Sequence, residues 1–289
     1  MNIGEQLPLA MAFNKKHILL SFIVILTMNS CKKNDFDVVN LNGNRVSPIG
    51  HGGMGADNIY PKNCFESIIN SFTIGAEGVE LDIQMTKDNV LVIFHDKDLS
   101  HSTNISGEIW KMNWAEIDGA RYKFPLLTNY KVITLEMLLE NSPEFRGKLF
   151  FMDYKKNNPN LSAALDSRIL QAFIRLVDKY GIAANTRMEF GASQLGLIEL
   201  FRENRADLPI FIYTKDLDEG IKVGLQYSAI GIVMPSSVVS GASINKAHQN
   251  QLMVAVYGIH TKAGNIDMIE NNVDFIQSDK LKHLLKVLK

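Results

Sequence analysis

The chain has 289 residues, 46% of them hydrophobic and 21% charged, with a formal net charge of −1. That is ordinary composition for a globular chain with a sizeable core, and the balanced charge excludes the basic footprint of a nucleic-acid binder. No internal repeat in the ~20–50 residue range and no low-complexity tract is present, which excludes solenoid arrays.

The first predicted element is a targeting segment. Lys15, Lys16 and His17 form a positive start, and Ile18–Met28 is apolar apart from Ser21 and Thr27. The run is shorter than the ~20 residues needed to span a bilayer but suits the apolar stretch of a signal peptide. Met11 offers a start codon close to it. Met28-Asn29-Ser30-Cys31 then resembles a bacterial lipobox, with Met28 where leucine is usual. The expectation is a signal peptide over residues 1–31, lipidation of Cys31, and a membrane partner through that anchor. The alternative is an ordinary signal peptide with a chance cysteine. Lys32, rather than aspartate, follows Cys31, which favours the outer membrane of a bacterial envelope. Residues 32–44 are polar and read as a tether. With Cys31 lipidated, Cys64 is left as a free thiol, most simply a small buried apolar residue.

The rest of the chain approaches the ~250 residues typical of a (β/α)8 barrel. Strand-like runs fall at Val46–His51, Gly78–Met85, Val90–His95, Leu149–Lys155, Arg187–Phe190, Pro209–Tyr213, Ile230–Met234, Leu252–Tyr257 and Asp274–Gln277. Amphipathic stretches separate most of them. Leu170, Phe173, Ile174 and Val177, for example, recur at helical spacing within Leu161–Tyr180. Strands alternating with helices predict a parallel sheet with right-handed crossovers, hence an α/β TIM barrel over residues 45–289. Residues 96–133 break the rhythm. This long polar connection reads as an inserted excursion whose apolar content is too sparse for a core of its own.

Chemistry concentrates on a few of these elements. His51 ends the first run. In Val79-Glu80-Leu81-Asp82-Ile83-Gln84 the polar residues share one face by period two. Parallel strands are covered on both sides, so Glu80 and Asp82 are expected to point into the barrel near its C-terminal end, where barrel active sites sit. Adjacent carboxylates repel unless a cation or proton lies between them. Asp153, on the same face as Lys155, is a third candidate ligand. An all-carboxylate set favours a hard ion, Mg2+ or Ca2+, over zinc. Lys155 then faces an anionic substrate, or else forms a plain ion pair with Asp153. His51 and His95, at two strand ends beside these acids, suit general acid/base work near neutral pH. His101, His248, His260 and His283 have no such setting and read as loop or surface residues.

In this order the residues resemble the glycerophosphodiester phosphodiesterase family, whose pattern runs roughly H-R-G, P-E-N, E-x-D, T-K-D, H-D and later E-x-K. The chain reads His51-Gly52-Gly53, Pro61-Lys62-Asn63, Glu80-Leu81-Asp82, Thr86-Lys87-Asp88, His95-Asp96 and Asp153-Tyr154-Lys155. Val254–Tyr257 resembles a late strand in which tryptophan is usual at Tyr257, and Phe275–Asp279 resembles the closing I-x-T-D. The resemblance spans about His51 to Lys280. It implies a TIM barrel with a small insertion after the second strand, a divalent metal on Glu80, Asp82 and Asp153, and His51 and His95 as the acid/base pair. It further implies Lys155 on the substrate phosphate with Asn63 nearby, and hydrolysis of a glycerophosphodiester to glycerol 3-phosphate and an alcohol. Three positions depart from the pattern. Gly52 replaces a phosphate-binding arginine, Lys62 replaces a glutamate, and Asp153 replaces a longer glutamate. Loss of arginine removes a bidentate fork that lysine cannot copy, and Lys62 with Lys155 is expected to restore part of the charge, with Lys62 as a solvated loop residue the alternative. Two rival readings follow. One is phospholipase D-like cleavage of a lysophospholipid or related lipid, with a cyclic phosphate released. The other is a non-catalytic binding lipoprotein on a retained barrel.

Overall fold

The computed structural model describes Met1 and residues 36–56, 60–124, 129–158 and 162–289. The chain divides into Met1–Lys33 and Asn34–Lys289. The expected signal peptide, Cys31 and the start of the tether lie outside the described residues, as does Pro125. No helix among the described residues is long and apolar enough to cross a membrane.

The elements run β1 (Ser47–His51), α1 (Phe65–Thr73), β2 (Gly78–Met85), β3 (Leu91–Ile93), α2 (Trp114–Ile117), β4 (Ile133–Thr134), α3 (Leu135–Asn141), β5 (Leu149–Tyr154) and α4 (Ala163–Tyr180). They continue with β6 (Thr186–Gly191), α5 (Leu195–Asn204), β7 (Ile210–Tyr213), α6 (Leu217–Gln226), β8 (Gly231–Pro235), α7 (Gly241–Gln249), β9 (Met253–Ile259), α8 (Lys262–Glu270), β10 (Phe275–Ser278) and α9 (Leu281–Val287). Eight strands (β1, β2 and β5 to β10) pair in parallel around a ring that closes where β1 meets both β2 and β10. This is a closed (β/α)8 TIM barrel. The helices follow from ordinary signals. In α4, Leu170, Phe173 and Val177 are buried on one face, the Ser162 hydroxyl accepts the Leu165 N–H, and Gly181 ends the helix in the left-handed region.

Period two divides each barrel strand between two environments. Val79, Leu81 and Ile83 of β2 and Phe150 and Met152 of β5 pack outward against the helices. The inward residues form two layers. Toward the strand starts, Ile49, Phe151, Phe211, Val233, Ala255 and Phe275 make an apolar plug. The Phe151 ring centroid lies 5.3 Å from that of Phe211 and 5.1 Å from that of Phe275. Two residues further along the same strands come His51, Asp153, Tyr213, Tyr257 and Gln277. The polar layer therefore sits directly on the plug, at the C-terminal end.

Three features differ from the sequence expectation. The Val90–His95 run does form a strand, but β3 pairs antiparallel to β2 and then to β4, so it lies outside the barrel. Regular pairing ends at Ile93, and His95 stands on the loop beyond it. The 96–133 excursion is not without a core. Leu99, Ile109, Ile117, Ala120, Tyr122 and Val132 are buried with Cys64, Val92 and Phe94, and α2 opens with a reciprocal Asn113–Glu116 capping box. The apolar residues are few, but they are brought together by packing on β3. Finally, the described part of the expected tether is fastened to the barrel. Asn40 Nδ2 donates to Val273 O at 2.8 Å and Asn42 Nδ2 to Ser47 Oγ at 2.8 Å, while Phe36 and Val38 pack against the main core.

Candidate functional site

Glu80 and Asp82 reach the barrel mouth from β2, and Asp153 reaches it from β5 in register with Asp82. One carboxylate oxygen from each of the three lies within 4.8 Å of the others. The Lys155 ammonium sits among them, 3.0 Å from Asp82 Oδ1 and 2.5 Å from Asp153 Oδ2. Asn63, after a tight turn, donates from Nδ2 to Asp82 Oδ2 at 2.6 Å. One lysine cannot balance this much buried negative charge. Burial and the neighbouring Asp82 push the Glu80 carboxyl well above its ordinary range. Burial also raises Asp153, in spite of Lys155. For Asp82 burial acts the same way, but Lys155 and His95 outweigh it and hold that group low. A carboxyl forced toward its protonated form beside two others, all presenting oxygen, is the donor set a hard divalent cation takes. The residues fit such an ion.

His51 closes one side of this cluster. Its Nε2 is 3.8 Å from Glu80 Oε2 and its Nδ1 is 3.0 Å from Asp279 Oδ1. Lys62 Nζ lies 2.9 Å from the same Asp279 oxygen and 3.1 Å from His51 Nδ1. The Lys62 stem crosses Gly52. A Cβ at residue 52 would meet Lys62 Cβ at 2.7 Å and Cγ at 3.0 Å, and Gly52 holds φ +59°. The two departures from the family pattern are therefore one packed unit. Glycine leaves the room that the lysine fills.

His95 is 63% exposed in its side chain and its Nδ1 is 3.0 Å from Asp96 Oδ1. Its loop is held down by Gln84, whose Nε2 donates to Phe94 O at 2.8 Å and Asp96 O at 2.9 Å. The Ser102 hydroxyl donates to the other Asp96 oxygen. A cleft of about 360 Å³ runs from this loop to Lys62 and Asn63, with Phe94, His101, Tyr122 and Phe124 on its walls.

Every predicted site residue among those described gathers at this mouth: His51, Lys62, Asn63, Glu80, Asp82, His95, Asp153 and Lys155. Sequence reasoning missed several others. Glu189 pairs in register with Asp153 and accepts from Gln277 Nε2; its inward parity on β6 was readable from the alternation. His260 is no bystander, because its Nδ1 is 2.6 Å from Asp279 Oδ2. His101 lines the cleft. His248 bonds Asp274 at 2.8 Å at the opposite end of the barrel, where it is structural. Tyr257 stacks on Tyr213 and its ring meets His51 edge-on at 6.5 Å.

The chain is similar to several proteins of known name. The chain is 30% identical over 81 residues to a glycerophosphodiester phosphodiesterase of Bacillus altitudinis, covering 28% of this chain and 33% of that one. It is 33% identical over 129 residues to glycerophosphodiester phosphodiesterase 1 of Mus musculus, covering 42% of this chain and 37% of that one. These matches thus span about a third of each relative. Among solved structures, a glycerophosphodiester phosphodiesterase from Agrobacterium tumefaciens superposes with TM-score 0.68 at 19% identity, covering 84% of this chain and all of the other. A phosphodiesterase from Oleispira antarctica, solved with the product sn-glycerol-3-phosphate, superposes with TM-score 0.73 at 16% identity, covering 83% and 96%. At these identities the superpositions establish the fold. The family model for glycerophosphoryl diester phosphodiesterases matches residues 51–283, from His51 to beyond Asp279, and the chain belongs to that family.

Proposed function

We propose that the chain is a metal-dependent phosphodiesterase that hydrolyses glycerophosphodiesters to glycerol 3-phosphate and an alcohol. The observation that carries this reading is the triad Glu80, Asp82 and Asp153 flanked by His51 and His95, in a chain of this family. Glu80, Asp82 and Asp153 would hold Mg2+ or Ca2+. When bound, such an ion supplies neutralisation of phosphate oxygens and of the charge that develops on them. The protein's own residues do the proton transfers. One of His51 and His95 takes a proton from the attacking water as the new P–O bond forms. The other gives a proton to the leaving alkoxide as the old P–O bond breaks. Lys62, open to the cleft, meets the phosphate, while Lys155 balances the carboxylates and Asn63 orients Asp82. The sn-glycerol-3-phosphate held by the Oleispira antarctica protein supports a small phosphodiester as substrate.

The test is turnover of a panel of glycerophosphodiesters and lysophospholipids, followed by phosphorus NMR, with and without thorough chelation and readdition of Mg2+ or Ca2+. Activity should vanish on chelation, and His51→Ala and His95→Ala should each lower kcat by at least ~10²-fold. Full activity after chelation, or in the double alanine variant, refutes the mechanism. A cyclic phosphate product replaces this reading with lipid cleavage of the phospholipase D kind, and binding without turnover replaces it with a binding lipoprotein. We also propose a lipid-anchored place in a bacterial envelope, supported by the Lys15–Cys31 pattern. Cys31→Ala should then move the protein out of the membrane fraction; unchanged fractionation refutes the anchor.

A further inference from the structure

Asp279 follows β10 and is 1% exposed in its side chain, yet it receives three basic groups. His51 Nδ1 is 3.0 Å and Lys62 Nζ 2.9 Å from Oδ1, and His260 Nδ1 is 2.6 Å from Oδ2. An ionised carboxylate only accepts. A proton on His51 Nδ1 would face Oδ1, in competition with the Lys62 ammonium, which lies 3.1 Å from the same nitrogen. With Nδ1 protonated, a neutral His51 keeps the lone pair on Nε2, and Nε2 is the nitrogen that faces the carboxylate cluster, 3.8 Å from Glu80. Lys62 is placed by the same oxygen. Its Nζ also lies 3.1 Å from His51 Nδ1, while its stem fills the Gly52 hollow and borders the open cleft. Asp279 is itself tied to the barrel, since its backbone N–H donates to Ile259 O at 3.2 Å and Oδ1 accepts the Ala56 N–H at 3.2 Å.

We propose that Asp279 is a positioning residue for the reaction, holding His51 in the tautomer that exposes Nε2 to the substrate and holding Lys62 beside the phosphate. This rests on the phosphodiesterase reading. The carboxylate touches no reacting atom. It acts through the ring it orients, as buried aspartates do behind catalytic histidines elsewhere, and through the ammonium it anchors. His260 Nδ1 approaches the second oxygen from the solvent side, 2.6 Å away.

The experiment compares wild type, Asp279→Asn, Lys62→Met, His51→Ala and the double variants, using kcat, KM and nitrogen NMR of the histidine rings. Asp279→Asn should lower kcat by at least ~10²-fold, the usual scale for an acid/base contribution, and should raise KM. Lys62→Met should raise KM alone. Added to His51→Ala, Asp279→Asn should cause no further loss in kcat, because the two act as a unit. In wild type the His51 ring should carry its proton on Nδ1; in Asp279→Asn that preference should be lost. A wild-type His51 ring protonated on Nε2 alone overturns the proposal even if the variant fails to fold, and so does a kcat loss that multiplies with that of His51→Ala. Should wild type cleave no diester, the function reading fails, while the ring-nitrogen measurement still decides the role of Asp279.

Discussion

Substituting Gly52 by alanine tests the packed Gly52–Lys62 unit. Residue 52 holds φ +59°, where an L side chain costs about 1–2 kcal/mol. The new Cβ would also sit 2.7 Å from Lys62 Cβ. That atom is bonded to the backbone and cannot swing away as a lysine tip does, so residues 61–63 must shift, at the ~1–3 kcal/mol typical of overpacking. The backbone at residue 52 has no slack to share, since its N–H donates to Glu80 Oε2 at 3.1 Å and its carbonyl accepts from Asn63 N at 2.9 Å and Ser67 Oγ at 3.0 Å. The expected cost is about 2–5 kcal/mol, or a fall in Tm of roughly 4–20 °C for a domain of this size. Melting curves and urea unfolding measure it, and KM for the diester should rise as Lys62 leaves its seat. In a Lys62→Gly background, which removes the blocking Cβ, Gly52→Ala should cost only the left-handed part, about 1–2 kcal/mol. Equal costs in both backgrounds, or an unchanged Tm, would refute the coupling. By the same reasoning Gly52→Arg alone does not restore the family's phosphate fork.

Two further outcomes are expected. Burial works against ionisation of Asp279, but His51 and Lys62 outweigh it and hold its carboxyl well below the usual range. A depressed folded value means stability that is complete above the unfolded value, near pH 4, and is lost as pH falls through the folded one. Unfolding free energies between about pH 5 and 2 should fall more steeply for wild type than for Asp279→Asn, and parallel curves would contradict this. Burial and Asp153 push Glu189 well above the ordinary glutamate range. Its burden on the metal-free fold therefore grows as pH rises through the unfolded value. Glu189→Gln should raise the Tm of chelated protein at pH 7, and a lower Tm would show that the carboxylate is needed by Gln277.

Much of the barrel was legible because its signals are local. Strict alternation along Val79–Gln84 is enough to aim Glu80 and Asp82 inward, and period two along the strands carries Asp153 with Lys155 in one and His51 at the end of β1. Other features depend on contacts remote in the chain. Nothing within Val90–His95 distinguishes a parallel barrel strand from the antiparallel β3, since partner and direction are set by the turn at Lys87–Asn89 and the satellite core behind it. His260 is exposed, as its neighbours in sequence suggest, and only the pairing of β10 with β9 brings Asp279 beside it. The Gly52–Lys62 unit reads in sequence as two separate losses. It becomes a single packed unit only when the turn before α1 folds the lysine back over the glycine.

The apolar plug beneath the polar layer governs traffic as well as stability. Phe151, Phe211 and Phe275 interlock across the barrel axis, so among the described residues the polar layer is floored from below and faces the C-terminal mouth. On the proposed hydrolysis, substrate would enter and both fragments leave on that side. In that reaction the phosphomonoester fragment carries the added charge, so Lys62 and a cation held by the carboxylates would retain it longer than the alcohol, and added glycerol 3-phosphate would compete with the diester.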